Sequence, residues 1–258
     1  MVSILLISCG GAGKRFIEEV RKAGPFKTLT INDSLADINV SESAAKLADS
    51  LVDKQAFELF PWLEKIEYEY IVVIAGLGGL MGSSMAVIIG KALHRRAKIY
   101  GMFSEPFKNE GKSRVKTTTW AKKEIEKTYR GAFYLSNEEI FNYYPNLKIG
   151  DAMRIHPVVM KHLLRDMYLA VIPRRPSWLE GNMGAGVGFG VGRERIRLAI
   201  EDAVDSPWLT PGEKYAVVSG DIDKEDVEPV IKHYDFEDWI FYHTQEHGSE
   251  IKVTVISK

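Results

Sequence analysis

The sequence predicts an α/β protein built from a Rossmann-like parallel sheet, a long core helix and a smaller C-terminal α+β domain. Three observations carry this expectation. Apolar runs of strand length alternate with amphipathic stretches through the first half, glycine clusters close the first and third of those runs, and shorter β-runs take over late in the chain. Strands that are apolar throughout and separated by helices belong to parallel sheets covered on both faces.

In order, Val2–Ser8 reads as a strand, and Gly10–Gly13 turn the chain into an amphipathic segment, Lys14–Lys22, that stops at Ala23-Gly24-Pro25. Thr28–Ile31 is a second short strand ending at Asn32-Asp33, and Ser41–Lys65 has helical spacing that Pro61 breaks. Tyr70–Ala75 is a strongly apolar third strand, followed by a loop over Gly76–Gly82 and a helix over Ser83–Leu93. Strand Ala97–Phe103, helix Ser113–Lys127 and strand Ala132–Leu135 complete this pattern. Apolar positions at helical period over Gly150–Leu169 predict the core helix. A second glycine cluster, Gly184–Gly192, precedes a helix over Glu194–Val204, which Ser206-Pro207 stops. Then come Lys214–Ser219, a helix over Glu225–His233, and the runs Trp239–His243 and Glu250–Ile256, whose short separation around Gln245–Gly248 predicts a hairpin. The expected division is a first domain over 1–148, the core helix over 149–170 and the C-terminal domain over 171–258.

Composition narrows the function. The 258 residues are 45% hydrophobic and 27% charged, enough to bury a large core, and the formal net charge of −1 offers no electrostatic ground for nucleic acid or an anionic membrane. The single cysteine, Cys9, excludes an intramolecular disulfide, and the first residues lack the basic start of a secretory signal, so a cytoplasmic location is expected. The longest apolar stretch, Tyr70–Leu93, is interrupted by five glycines and by Lys91 and fails as a membrane span, so direct membrane insertion is not expected. The histidines show no metal-ligand spacing, and the five tryptophans are scattered as packing residues are.

Cys9-Gly10-Gly11-Ala12-Gly13 sits between a strand and a helix, where backbone amides can hold a phosphate. It is neither a P-loop nor a Rossmann Gly-x-Gly-x-x-Gly. A second strand-loop-helix unit, Gly76-Leu77-Gly78-Gly79-Leu80-Met81-Gly82-Ser83-Ser84, places another glycine loop where it can face the same crevice. From here the chain resembles the tubulin/FtsZ superfamily. Gly78, Gly79, Gly82 and Ser83 match the signature loop Gly-Gly-Gly-Thr-Gly-Ser/Thr-Gly, while Leu80, Met81 and Ser84 depart from it. Pro106-Phe107-Lys108-Asn109-Glu110-Gly111-Lys112-Ser113-Arg114 is similar to the FtsZ stretch Pro-Phe-x-x-Glu-Gly-x-x-Arg, Ser136-Asn137-Glu138 to its base-binding Pro-Asn-Asp, and Gly190-Val191-Gly192-Arg193 through Ser206-Pro207 to its Gly-x-Gly, Arg and Ser-Pro helix.

The resemblance implies a tubulin/FtsZ fold and a guanine nucleotide, GTP or GDP, with a magnesium ion allowed beside it. By position it assigns Gly10, Gly11, Ala12 and Gly13 with Gly78, Gly79, Gly82 and Ser83 to the phosphates, Glu110 and Arg114 to the ribose and its surroundings, and Asn137 and Asp151 to the base. An amide oxygen and a carboxylate accept from the guanine edge. Where the family stacks an aromatic on the base this chain has Leu147, with Tyr144 nearby as the substitute.

Three departures bear on mechanism. Lys14-Arg15 replaces the family's Asn-Asn after the first loop and brings two cations toward the phosphates. The stretch between Asn32 and Tyr70 lacks the Gly-Ala-Gly-x-x-Pro loop that senses the terminal phosphate. The family's Asn-x-Asp-x-x-Asp, which enters the next subunit's site and positions the attacking water, falls here on Ala170, Ile172 and Arg175, and no carboxylate occurs between Asp166 and Glu180. Hydrolysis of the family's kind is therefore expected to be very slow or lost, since positioning a water requires an acceptor. Arg174-Arg175 invite the sharper expectation of arginine fingers acting on a neighbour's phosphates, or of a clamp at an interface. Two functions follow: a cytoskeletal or cell-division protein that self-associates head to tail, or a non-hydrolysing regulator of an FtsZ-like partner.

Overall fold

The computed structural model describes every residue except Met1, Val2 and Val52, and the side chains of Asp53 and Lys54. Val2, expected to open the first strand, thus lies outside the described residues. Two compact units emerge, one of Met1–Val158 with Glu180–Asn182 and one of Val159–Leu179 with Met183–Lys258.

The first unit opens with β1 (Ile4–Cys9), α1 (Gly10–Val20), β2 (Lys27–Asn32) and β3 (Ile38–Asn39). Next come α2 (Glu42–Ala45), α3 (Asp53–Leu59), β4 (Tyr70–Gly76), α4 (Leu80–Leu93), β5 (Lys98–Glu105), α5 (Lys112–Thr128), β6 (Gly131–Ser136), α6 (Asn137–Tyr143) and α7 (Ile149–Asp166), the last of which crosses the boundary. The strands run β3-β2-β1-β4-β5-β6, all parallel. Chain order reverses direction between β1 and β4, the place where open α/β sheets leave a crevice beyond their carboxyl ends. Ile7, Val73, Ile71 and Ile99 pack with Ile88, Ile89 and Phe103 in one core, and Leu6, Val72, Ile74 and Met102 are equally buried. This is why these strands read as continuous apolar runs.

Several boundaries differ from expectation. Gly10–Gly13 are not a turn before the helix but its first turn, and α4 likewise starts at Leu80 rather than Ser83. The 41–65 segment is not one helix with a break; α2 and α3 alternate with single 3₁₀ turns at Lys46–Asp49 and Pro61–Lys65. After α7 the chain widens into a π turn at Met167–Val171 and ends in α8 (Ile172–Arg174).

In the second unit the glycine cluster at 184–192 is mostly strand. It forms most of β7 (Gly181–Gly190), followed by α9 (Arg195–Val204), β8 (Lys214–Gly220), α10 (Lys224–Ile231), β9 (Asp238–His243) and β10 (Ile251–Ser257). A side chain at Gly188 would collide with the carbonyl of Ala199, so the missing Cβ lets α9 lie directly on β7. The predicted hairpin is absent. The order is β7-β10-β8-β9, with β10 antiparallel to β7 and β8, and β9 parallel to β8. Sequence proximity favours pairing β9 with β10, but β10 instead takes the central place, where all seven of its residues are buried. Among the described residues no helix is long and apolar enough to cross a membrane.

Candidate functional site

The first unit carries a cleft of about 500 Å³ at the carboxyl ends of its strands. Both glycine segments reach it. Gly10 has φ +71, and a Cβ there would come within 2.8 Å of the amide nitrogen of Gly82; a Cβ at Gly82 would run into the carbonyl of Gly76. The two helix starts are therefore in backbone contact, and only glycine permits it. Gly11 and Gly79 face open space, so the floor of the cleft is exposed main chain. Neither α1 nor α4 has a side-chain cap or an acidic residue in its first turn. First-turn N–H groups without a capping side chain attract an anion, and here two helix starts serve one cleft.

Gly10, Gly11, Ala12, Gly79 and Gly82 line the cleft, whereas Gly13, Gly78 and Ser83 are buried and are not among its lining residues. The Ser83 hydroxyl accepts from the Gly78 amide at 3.0 Å, and the Leu77 amide donates to the Ser104 carbonyl at 2.9 Å, which pins the second loop to β5. Glu110 and Arg114 also line the cleft and pair with each other at 2.7 Å, while the second Glu110 oxygen accepts the Phe107 amide at 2.9 Å. Asn137, at the start of α6, completes that side.

Asp151 stands elsewhere. It is exposed on the first turn of α7, 3.7 Å from Arg154, and the α7 residues that line the cleft are Met153 and His156. At 3.6 residues per turn those two share a face roughly opposite to that of Asp151. Tyr144 and Leu147 are not in the lining either. His156 is buried, 6.3 Å from the Phe16 ring, and burial pushes its pKa down to about 4, so it is neutral at physiological pH. Of the two cations after the first loop, Arg15 lines the cleft, whereas Lys14 donates to the carbonyl of Leu35. Asn32, Asp33 and Glu42 close the β2 end, and the sequence marked none of them as site residues. Asn32-Asp33 looked like an ordinary strand end, and Glu42 belongs to no motif. Burial pushes the Cys9 thiol far above its usual range, which leaves it a core residue rather than a nucleophile. Among the described residues no three His, Cys, Asp or Glu side chains form a metal cluster.

In the second unit, Ala170 and Ile172 are buried in the π turn and α8, and Arg175 caps α8 in a left-handed conformation with φ 51. Arg174 donates to the carbonyls of Ala170 at 3.1 Å and Phe241 at 3.3 Å.

A parallel sheet in the order of doubly wound folds, with glycine-started helices converging on a cleft at the switch point, is the arrangement in which open α/β sheets bind ligands. Sequence and fold comparisons then show which proteins the chain is similar to, and these are FtsZ and CetZ proteins. It is 26% identical over 183 residues to cell division protein FtsZ 2 of Halobacterium salinarum, an alignment covering 64% of this chain and 46% of that protein. It superposes on the empty FtsZ dimer structure from M. jannaschii with a TM-score of 0.81 at 19% identity, covering 100% of this chain and 88% of that one. On CetZ2 of Haloferax volcanii, solved as a GTPγS-bound protofilament, the TM-score is 0.68 at 16% identity, covering 99% and 92%. No family model matches. The chain spans about half the length of the FtsZ 2 relative it matches.

Proposed function

We propose that this chain is an FtsZ-like cytoskeletal or cell-division protein whose cleft binds GTP or GDP and which hydrolyses GTP very slowly or not at all. The observation that carries binding is the pair of helix starts without capping side chains, locked together at Gly10 and Gly82 and opening onto one cleft. Exposed backbone at Gly11 and Gly79 would take the phosphates, Glu110 and Arg114 would part from each other to meet the ribose, and Asn137 would accept from the base. A magnesium ion fits this donor set only with the nucleotide present. Asp33 and Glu42 can supply two oxygens, and phosphate oxygens and water the rest, the manner in which magnesium is usually held.

Weak hydrolysis rests on the catalytic-loop positions. Ala170 and Ile172 are buried and lack an acceptor, and Arg175 is a cation. The same observation favours a second reading, a non-hydrolysing partner that modulates an FtsZ-like polymer. Arg174 is tied to two carbonyls of its own chain, which argues for a local structural role over an arginine finger. Head-to-tail self-association is the family's route to filaments and is our first reading.

The test is to denature the purified protein, identify the released nucleotide by chromatography, and follow phosphate release from added GTP. Bound guanine nucleotide with negligible turnover supports the proposal, an empty site that refuses GTP sinks it, and rapid turnover removes its catalytic half. Sedimentation with GTP separates the two readings: concentration-dependent pelleting favours the filament, and a small species that alters pelleting of an FtsZ partner favours the regulator.

A further inference from the structure

Charges along the cleft are unevenly placed. On the β5 side Glu110 pairs with Arg114 at 2.7 Å and Glu105 with Lys122 at 2.7 Å, so each carboxylate has its own cation. On the β2 side Asp33 and Glu42 face the cleft with Arg15 as the one other cation among its described lining residues. Asp33 accepts from the Ser34 hydroxyl at 3.3 Å, and Glu42 forms no ion pair among the described residues. The position of Glu42 is nonetheless fixed. The Val40 amide donates to the Asn32 carbonyl at 2.8 Å, the Ser41 hydroxyl accepts from the Ala44 amide at 3.2 Å, and Ala45 is fully buried in the core of the unit.

Strand order gives these charges a meaning. Along the carboxyl edge the sequence is β2, β1, β4, β5, β6. A nucleotide with its phosphates over the starts of α1 and α4 and its nucleoside toward Glu110 and Asn137 extends its terminal phosphate toward β2, where Asp33 and Glu42 stand. We infer that Glu42, with Asp33, makes this cleft select the nucleoside diphosphate over the triphosphate when no divalent cation is present. The inference rests on the nucleotide reading above. A terminal phosphate brings added negative charge against two carboxylates that Arg15 only partly offsets, and such a like-charge contact in a half-exposed cleft is worth about tenfold in affinity.

Calorimetric titration of the full chain, stripped of nucleotide and kept in EDTA, with GDP and with GTP tests this. The expected result is GDP binding about tenfold tighter than GTP, a ratio that Glu42→Gln cuts by about threefold and Glu42→Lys brings to unity or inverts. Because Glu42 is exposed, both variants should fold, which a thermal melt within a few degrees of wild type verifies. Equal wild-type affinities, or a ratio that neither substitution moves by twofold, would overturn the inference while leaving the nucleotide reading intact. If wild type binds neither nucleotide, the nucleotide reading fails and this inference with it.

Discussion

The two units bury their sheets differently. In the first, both faces of β1, β4 and β5 are apolar, and the polar work is done at the strand ends. In the second, one face of β10 carries Ile251, Val253 and Val255 into an apolar cluster with Ile196, Ala199 and Ile200 of α9, while the other carries Lys252 and Thr254, both fully buried. Lys252 donates to Asp166 at 2.6 Å, and the Tyr242 hydroxyl donates to the same carboxylate oxygen at 2.7 Å. Burial drives the Tyr242 hydroxyl pKa far upward, so it stays protonated as a donor. The contrast teaches that one unit obtains its fold from non-directional burial, whereas the other places a charge pair where geometry must be right.

The largest expected effect comes from breaking that pair. Lys252→Ala leaves the buried carboxylate without its cation and should cost about 3–5 kcal/mol in urea unfolding, whereas the double replacement Lys252→Met with Asp166→Leu should recover most of the loss. Recovery by the double variant would sharpen the comparison, and an undiminished loss would break it. Next in size, Gly10→Ala in the first unit forces an alanine to φ +71 against Gly82 and should cost about 1–3 kcal/mol while abolishing retention of the nucleotide proposed for the cleft. Normal retention in that variant would mean the two helix starts need not touch.

Both units also hold a neutral histidine. Burial lowers His156 in the first and His162 in the second from 6.5 to about 4. In the unfolded chain each ring takes a proton below about pH 6.5, but the folded chain resists until near 4, so the unfolded state binds more protons between those values. Stability should be constant in this respect above pH 6.5 and fall below it, by up to roughly 1.4 kcal/mol per pH unit for the fully buried His156. His156→Gln should flatten that limb more than His162→Gln in pH-dependent denaturation; equal slopes in all three proteins would refute it. The smallest effect is expected at Arg175, whose left-handed backbone disfavours a side chain: Arg175→Gly should raise stability by no more than about 1 kcal/mol, measured as a small upward shift in the melting temperature.

Much of this was legible beforehand. Tyr70–Ala75 could hardly be anything but a buried parallel strand, and the glycine segments announced the cleft because only glycine allows such approach. Expectation failed where long-range pairing outweighs local pattern. β9 and β10 are neighbours in sequence but not in the sheet, and nothing local in the glycine cluster at 184–192 announced a strand with α9 laid across it. The core helix was visible from its period, yet which of its residues line the cleft was not: Asp151 was assigned to the base by resemblance, and the residues of this helix in the cleft lining are Met153 and His156.

By itself the sequence determined the order of strands and helices, the family resemblance and the absence of carboxylates between Asp166 and Glu180, because these depend on local period and residue identity. Tertiary structure alone decided that Asp33 and Glu42 share a cleft with the glycine helices, and that Lys252, Tyr242 and Asp166 meet in a buried cluster. Residues so far apart along the chain are brought together by strand order and helix rotation, and neither is written in any local stretch of sequence.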